Sequence, residues 1–313
     1  MTEPRLRRLA EELTEAGLQI DVDGEWGGLV ITEVDYALRP HIHERRVPSV
    51  GTIIEPSTSQ DRWESGSGLL VTRRPIEAMP LNRTRLFADG LASWLIRRTS
   101  GDDEWAVFDR PAGSERDLVV LADAMGATIV QRHPNSSVRI VGEHGVLRWD
   151  GLTWHHEPPI SSWIDAVTAC GTYGGDDVLV PLLEFAVHDL GARGIGALLL
   201  FRPDDAGPSM IEVRLPTPPP LDITRPTDLA PLRHALSQID GAAVLDSQGI
   251  LRELGVRLVP SPEAETSVAG LRGMRHTSGR RYSFDDPRST VIVVSEGGPV
   301  TVLRNGEVLG HSR

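Results

Sequence analysis

The chain has 313 residues, 40% of them hydrophobic and 24% charged, with a formal net charge of -12 and a pI near 5.3. That length allows two domains, each with a core of its own. No run reaches the roughly 20 apolar residues of a membrane span. The opening MTEPRLRRLAEELTEAG has no apolar signal core, and the acidic balance argues against a DNA or RNA partner.

A first helix is predicted over residues 5–17, where Leu6, Leu9, Ala10, Leu13 and Leu18 recur near helical spacing. GGLVITEV (27–34) reads as a strand, and the Pro-, Ser- and Gly-rich stretch from Arg39 to Thr72 as loops. LFADGLASWLIRR (86–98) reads as a helix with arginines at its C-terminus, and DEWAVFDRP (103–111) as a short strand. DLVVLADAMGATIVQRH (117–133) combines a helix and a strand. The alternation in SSVRIVGEHGVLRWDGLTWHHEPP (136–159), broken at Glu143-His144-Gly145 and Asp150-Gly151, predicts a β-meander. His41 and His43, and the pair His155 and His156, lack companions at metal-ligand spacing and read as exposed loop histidines.

SSWIDAVTAC (161–170) and DVLVPLLEFAVHDLGARG (177–194) read as helices, the second stopping at Gly191. The single cysteine, Cys170, reads as a small core residue and fits a reducing cytoplasm. GIGALLLFRPDD (194–205) is a buried strand by its continuous apolar run. A Pro-rich link leads to the helix DLAPLRHALSQI (228–239), and two hairpins follow in 242–260 and 289–309. The expectation is α/β (α+β): a C-terminal mixed central sheet flanked by helices over 166–313, and a smaller N-terminal α+β domain over 1–165. The boundary falls near 160–175.

Four short features stand in order in the last third. They are Gly196-Ala197-Leu198, Asp240-Gly241-Ala242, Gly273-Met274-Arg275-His276-Thr277 with a short helix expected after it, and Ser295-Glu296 ending an apolar strand. Each alone is a common turn or surface pattern, and Arg275 could simply pair with Asp285 or Asp286. As an ordered set over 178–308 they resemble the diadenylate cyclase domain, the nucleotide-binding domain of the DisA family. That family condenses two ATP molecules into cyclic di-AMP and two pyrophosphates.

The resemblance implies a catalytic set of Asp240, Arg275 and His276, and a Mg2+ or Mn2+ ion on Asp240 and Glu296. ATP contacts would come from Gly241, Ala242, Val256, Leu258, Thr277, Ser278, Ser295 and Arg280. These residue types suit phosphoryl transfer, which needs positioning and charge neutralisation more than covalent chemistry. A carboxylate suits a hard cation, and a guanidinium forks onto phosphate oxygens. Gly241, without a Cβ, would let backbone approach the nucleotide, and Val256 and Leu258 would wall the adenine. The resemblance also implies a sensor-like N-terminal domain and a face-to-face homodimer or higher oligomer, each subunit holding one ATP.

Two departures bear on activity. The family's GTRHR reads GMRHT, so Met274 replaces a hydroxyl and Thr277 replaces an arginine, and Ile239 stands where relatives often carry histidine. A lost charge-assisted hydrogen bond costs about 1.5–3 kcal/mol, roughly ten- to a hundredfold in rate. Arg280 or Arg281 could restore the charge. Two readings stay open, an active cyclase and a non-catalytic nucleotide-binding module derived from one.

Overall fold

The computed structural model describes residues 3–42, 47–76, 79–168, 176–203 and 210–312; His43 and Cys170 lie outside them. The chain divides into two units between Pro159 and Ile160, nearly equal in length, so the N-terminal one is not the smaller.

The N-terminal unit runs α1 (Pro4–Glu15), α2 (Glu25–Leu38), β1 (Val50–Ile54), α3 (Gln60–Ser67) and β2 (Val71–Pro75). A single turn α4 (Leu81–Thr84) continues as a 3-10 turn into β3 (Ser93–Arg97) and β4 (Glu104–Phe108). Then come α5 (Glu115–Met125), β5 (Thr128–Arg132), β6 (Val138–Gly142), β7 (Gly145–Trp149) and β8 (Trp154–Glu157). The sheet order is β2-β4-β3-β1-β5-β6-β7-β8, antiparallel except for β1 beside β3. Alternation along the strands supplies both faces. Ile53, Ile96 and Ile129 meet Trp63 of α3 and Leu118 of α5, while Ile54, Val130 and Ile140 meet α1 and α2.

Three expectations fail here for local reasons. GGLVITEV lies inside α2: Val30, Ile31, Val34 and Ala37 are buried on one helical stripe, a spacing that outweighs their β-branched content. LFADGLASWLIRR is not a helix. The Asp89 carboxylate accepts the N–H groups of Leu91, Ala92 and Ser93 at 2.8, 2.9 and 2.9 Å, turning the chain into the buried strand β3. The supposed loop between Arg39 and Thr72 contains β1, buried at every position, and α3.

The predicted meander is present as β6-β7-β8. His155 and His156 are therefore strand residues rather than exposed loop ones. His155 Nε2 lies 2.9 Å from Asp150 Oδ2, and His156 Nε2 lies 2.8 Å from His144 O.

The C-terminal unit runs α6 (Ile160–Thr168), α7 (Asp176–Glu184), β9 (Ala197–Phe201), β10 (Ile211–Glu212) and α8 (Pro226–Gln238). It continues with β11 (Ala242–Leu245), β12 (Leu251–Leu258), α9 (Pro262–Ser267), α10 (Met274–Asp285), β13 (Thr290–Val294), β14 (Val300–Arg304) and β15 (Glu307–His311). After α7 the helical path continues as a π-helical stretch, Phe185–Leu190, and a 3-10 turn, Gly191–Arg193. It passes Gly191 at φ -57° and stops at Gly194, whose left-handed φ of 65° ends it three residues later than predicted.

The sheet order is β10-β12-β11-β9-β13-β14-β15, mixed because β9 and β11 are parallel. Leu199, Ala243 and Ile292 pack against α6, α7 and α8 on one face. Leu198, Val244, Val291 and Leu303 pack against Tyr282 of α10 on the other. This is the mixed central sheet flanked by helices that the sequence predicts. No helix among the described residues is long and apolar enough to cross a membrane.

Candidate functional site

Strand register gathers the four motifs. β9 and β11 run parallel with Leu198 beside Ala242, so Gly196 and Asp240-Gly241 enter the sheet at the same end. β13 runs against β9 with Val294 opposite Ala197, so Ser295-Glu296 leaves the sheet at that end too. The first turn of α10 delivers Arg275 to the same place.

Arg275 Nη2 is 3.2 Å from Asp240 Oδ1, and Nη1 is 3.4 Å from Glu296 Oε1. The guanidinium is one-third exposed (34%), whereas the carboxylates are 90% and 80% exposed. One cation thus bridges two acids that remain open to solvent. Asp285 and Asp286 are engaged elsewhere, with Ser261 and with Arg202 and Ser289. The backbone N–H of Gly241, then Arg275, hold the Asp240 carboxyl below the usual carboxylate range, so it is ionised at neutral pH.

Two glycines of the motifs have steric roles. A Cβ at Gly196 would stand 2.5 Å from Arg275 Nη1 and 2.7 Å from Glu296 Cγ, so the glycine makes the space in which the ion pair sits. Gly241 has φ 107°, and a Cβ there would stand 2.7 Å from the carbonyl carbon of Gly255. The side of Gly241 where a side chain would project is filled by the neighbouring strand's backbone.

Beside this cluster opens a cavity of about 1090 Å³, at the large end for small-molecule sites. Leu198, Ala242, Val256 and Leu258 give it an apolar wall, while Asp240, Gly241, Gly273, Arg275, Thr277 and Ser278 supply its polar side. Of the residues expected at the site, eight line this cavity: Asp240, Gly241, Ala242, Val256, Leu258, Arg275, Thr277 and Ser278. Glu296 joins through Arg275, and Ser295 opens the β13–β14 turn, its N–H donating to Pro299 O at 2.9 Å.

His276 and Arg280 are not on the cavity wall. His276 faces the sheet, with Nε2 3.2 Å from Thr301 Oγ1, and burial pushes its pKa below the ordinary histidine value. Arg280 Nε donates to Gly306 O at 2.6 Å, and its Nη2 lies 3.7 Å from Glu307. Arg281 does line the cavity, held by Val268 O and Glu265 O at 3.3 Å each.

The GMRHT segment is itself the first turn of the 12-residue α10, rather than a loop ahead of a short helix. Its first turn carries no acid, so no carboxylate of α10 itself offsets the positive end of the helix dipole beside Arg275. Sequence reading missed Arg214, Leu215, Gln238, Arg257 and Glu265 of the lining. They lie outside the four motifs: Arg214, Leu215 and Arg257 sit on or beside the strands that the β10–β12 register brings together, while Gln238 ends α8 and Glu265 lies on α9.

Among the described residues no three His, Cys, Asp or Glu side chains form a metal cage. Asp240 alone still fits a magnesium-like ion: an ionised, open carboxylate can contribute one or two oxygens while phosphates and water complete the shell.

Comparison with protein-family models matches residues 184–308 to the DisA bacterial checkpoint controller nucleotide-binding family, and residues 7–157 to the probable sensor domain DACNK. No curated protein matches the chain. Among solved structures, a hypothetical membrane spanning protein from Bacillus cereus is 22% identical, with 40% of this chain and 59% of that chain covered and a TM-score of 0.31. A double mutant of DacA from Staphylococcus aureus is 22% identical over 40% of this chain and 81% of that chain, with a TM-score of 0.26. Likenesses at these scores carry no argument about the fold, which rests on the chain's own two sheets. Residues 184–308 therefore belong to the DisA nucleotide-binding (DAC) family, and residues 7–157 to the DACNK family of sensor domains.

Proposed function

We propose that the C-terminal unit is a diadenylate cyclase, condensing two ATP molecules into cyclic di-AMP and two pyrophosphates. The observation that carries this reading is the convergence of Asp240 and Arg275 at the mouth of one cavity, in a domain of the nucleotide-binding family.

In the proposed complex, Val256 and Leu258 pack against the adenine, and the guanidinium of Arg275 leaves its carboxylates to fork onto phosphate oxygens. Asp240, with Glu296 assisting, holds the Mg2+ or Mn2+ that accompanies ATP. Such an ion neutralises charge gathering on the phosphates. Two copies of the unit meet face to face. Each 3′-oxygen attacks the α-phosphorus of the opposite ATP, the bond from that phosphorus to the pyrophosphate oxygen breaks with its electron pair, and the hydroxyl proton passes to water. Binding fixes the reactants near attack distance, which supplies much of the acceleration. His276, neutral and hydrogen-bonded to Thr301, anchors α10 to the sheet in this account. The N-terminal unit regulates the reaction.

A second reading, a nucleotide-binding module without turnover, is favoured by one observation. Thr277 carries no charge and is bonded to Leu271, Arg280 is turned to Gly306, and Arg281, though on the cavity wall, donates to Val268 O and Glu265 O. Incubation of the full chain with ATP and Mg2+ or Mn2+, followed by mass spectrometry for cyclic di-AMP, separates the two. The cyclase reading expects product that Asp240→Asn abolishes. ATP binding without product in either metal leaves the binding-module reading.

A further inference from the structure

Thr277 stands where the related motif carries its second arginine, and its side chain has a different occupation. Its Oγ1 donates to Leu271 O at 2.8 Å and accepts from Leu271 N–H at 3.1 Å. Its own N–H donates to Gly273 O at 3.1 Å. Three hydrogen bonds from one residue thus staple the segment 271–273 onto the first turn of α10. That segment has little else in its favour. Gly273, the helix N-cap, has φ 101° and no side chain with which to cap, and Leu271 is only half-buried against the apolar cluster of the sheet.

The chemistry of the hydroxyl decides what it can do. A threonine has one O–H to donate, and here it is committed to Leu271 O. Phosphate oxygens at neutral pH accept hydrogen bonds, so the remaining Oγ1 lone pair offers them nothing. We propose that Thr277 is a positioning residue: it holds Leu271–Gly273 closed so that the first turn of α10 aims Arg275 at Asp240, Glu296 and the incoming phosphates, without touching the nucleotide. This rests on the nucleotide reading of the cavity and adds a specific part to it. The position has exchanged a second charge for a staple that orients the first.

The test uses the full chain and ATP with Mg2+, titrated calorimetrically at a temperature where circular dichroism shows every variant folded. Thr277→Val keeps the shape and removes both Oγ1 bonds, and it is expected to weaken binding about tenfold. Thr277→Ser keeps the oxygen and is expected to bind within about twofold of the parent. Because Thr277 acts through Arg275, adding Thr277→Val to Arg275→Ala is expected to cost almost nothing further, a non-additivity that mere loosening of the fold would not produce. Equal binding by Thr277→Val and the parent, failure of serine to rescue, or additive losses in the double variant would each overturn the proposal. A parent chain that binds no ATP would instead refute the nucleotide reading on which it stands.

Discussion

Replacing Gly241 by alanine separates two accounts of the glycine in the Asp-Gly-Ala motif. In one it is small so that the nucleotide can come close; in the other it is small because the neighbouring strand is already there. At φ 107° an alanine is strained by on the order of 2 kcal/mol. Its Cβ would also stand 2.7 Å from the carbonyl carbon and 2.9 Å from the Cα of Gly255, backbone atoms that cannot swing away. Overpacking of that kind costs about 1–3 kcal/mol. A loss of about 3 kcal/mol or more is therefore expected for the C-terminal unit.

Native-state hydrogen exchange of the buried β11 amides reads that unit without interference from the N-terminal one. Amides that exchange through opening of this unit should exchange roughly 100-fold faster or more in Gly241→Ala, with no ligand present. Exchange unchanged within a few-fold, together with lost ATP binding, would refute the packing argument and return the glycine to the nucleotide.

Other outcomes follow from the same geometry. Arg275→Ala removes the charge-assisted partner of the phosphates, and ATP affinity measured by calorimetry should fall about ten- to a hundredfold. Ser261→Ala breaks the cap of α9, whose Oγ accepts from Ala264 N–H at 3.0 Å and donates to Asp285 at 2.6 Å, so urea unfolding should show a loss of about 1–2 kcal/mol. His144, in the β6–β7 turn, has its pKa pushed down to about 4, first by burial and then by His156. The unfolded chain therefore binds the extra proton first. This contribution is complete above about pH 6.5 and is lost as the pH falls towards 4, amounting to up to about 3 kcal/mol. His144→Gln should flatten that part of the stability–pH curve in urea titrations, and a curve parallel to the parent's would contradict it.

What the sequence made legible follows from where its signals are local. The four motifs were readable because each lies where a strand begins, a strand ends or a helix starts, where turn glycines and short polar residues are confined to few positions. The hairpins of the C-terminal unit and the β6-β7-β8 meander were readable because period-2 alternation and tight turns are set by neighbours in the chain. The segment of α2 was misread because Val30, Ile31 and Thr32 favour strands locally, while burial of one helical stripe under the sheet decides the outcome. β3 was misread because Asp89 gathers three backbone N–H groups, a turn-forming act invisible in the apolar run that follows.

At the site, sequence spacing could not say which side of α10 each residue would take. Arg275 turns to the cavity, His276 to Thr301, and Arg280 to Gly306, a division fixed by how the helix packs on β13 and β14. Nor could it show that Gly196 clears space for Arg275, since the two meet only through the register of β9 with β13.

The most direct test of the central claim is the stoichiometry of products from ATP and Mg2+ or Mn2+ on the full chain. Cyclic di-AMP is quantified by mass spectrometry, and pyrophosphate by a coupled enzymatic assay. The account predicts two pyrophosphates for each cyclic di-AMP, with both disappearing in Asp240→Asn. ATP that binds yet yields neither product in either metal, at any protein concentration, would contradict it.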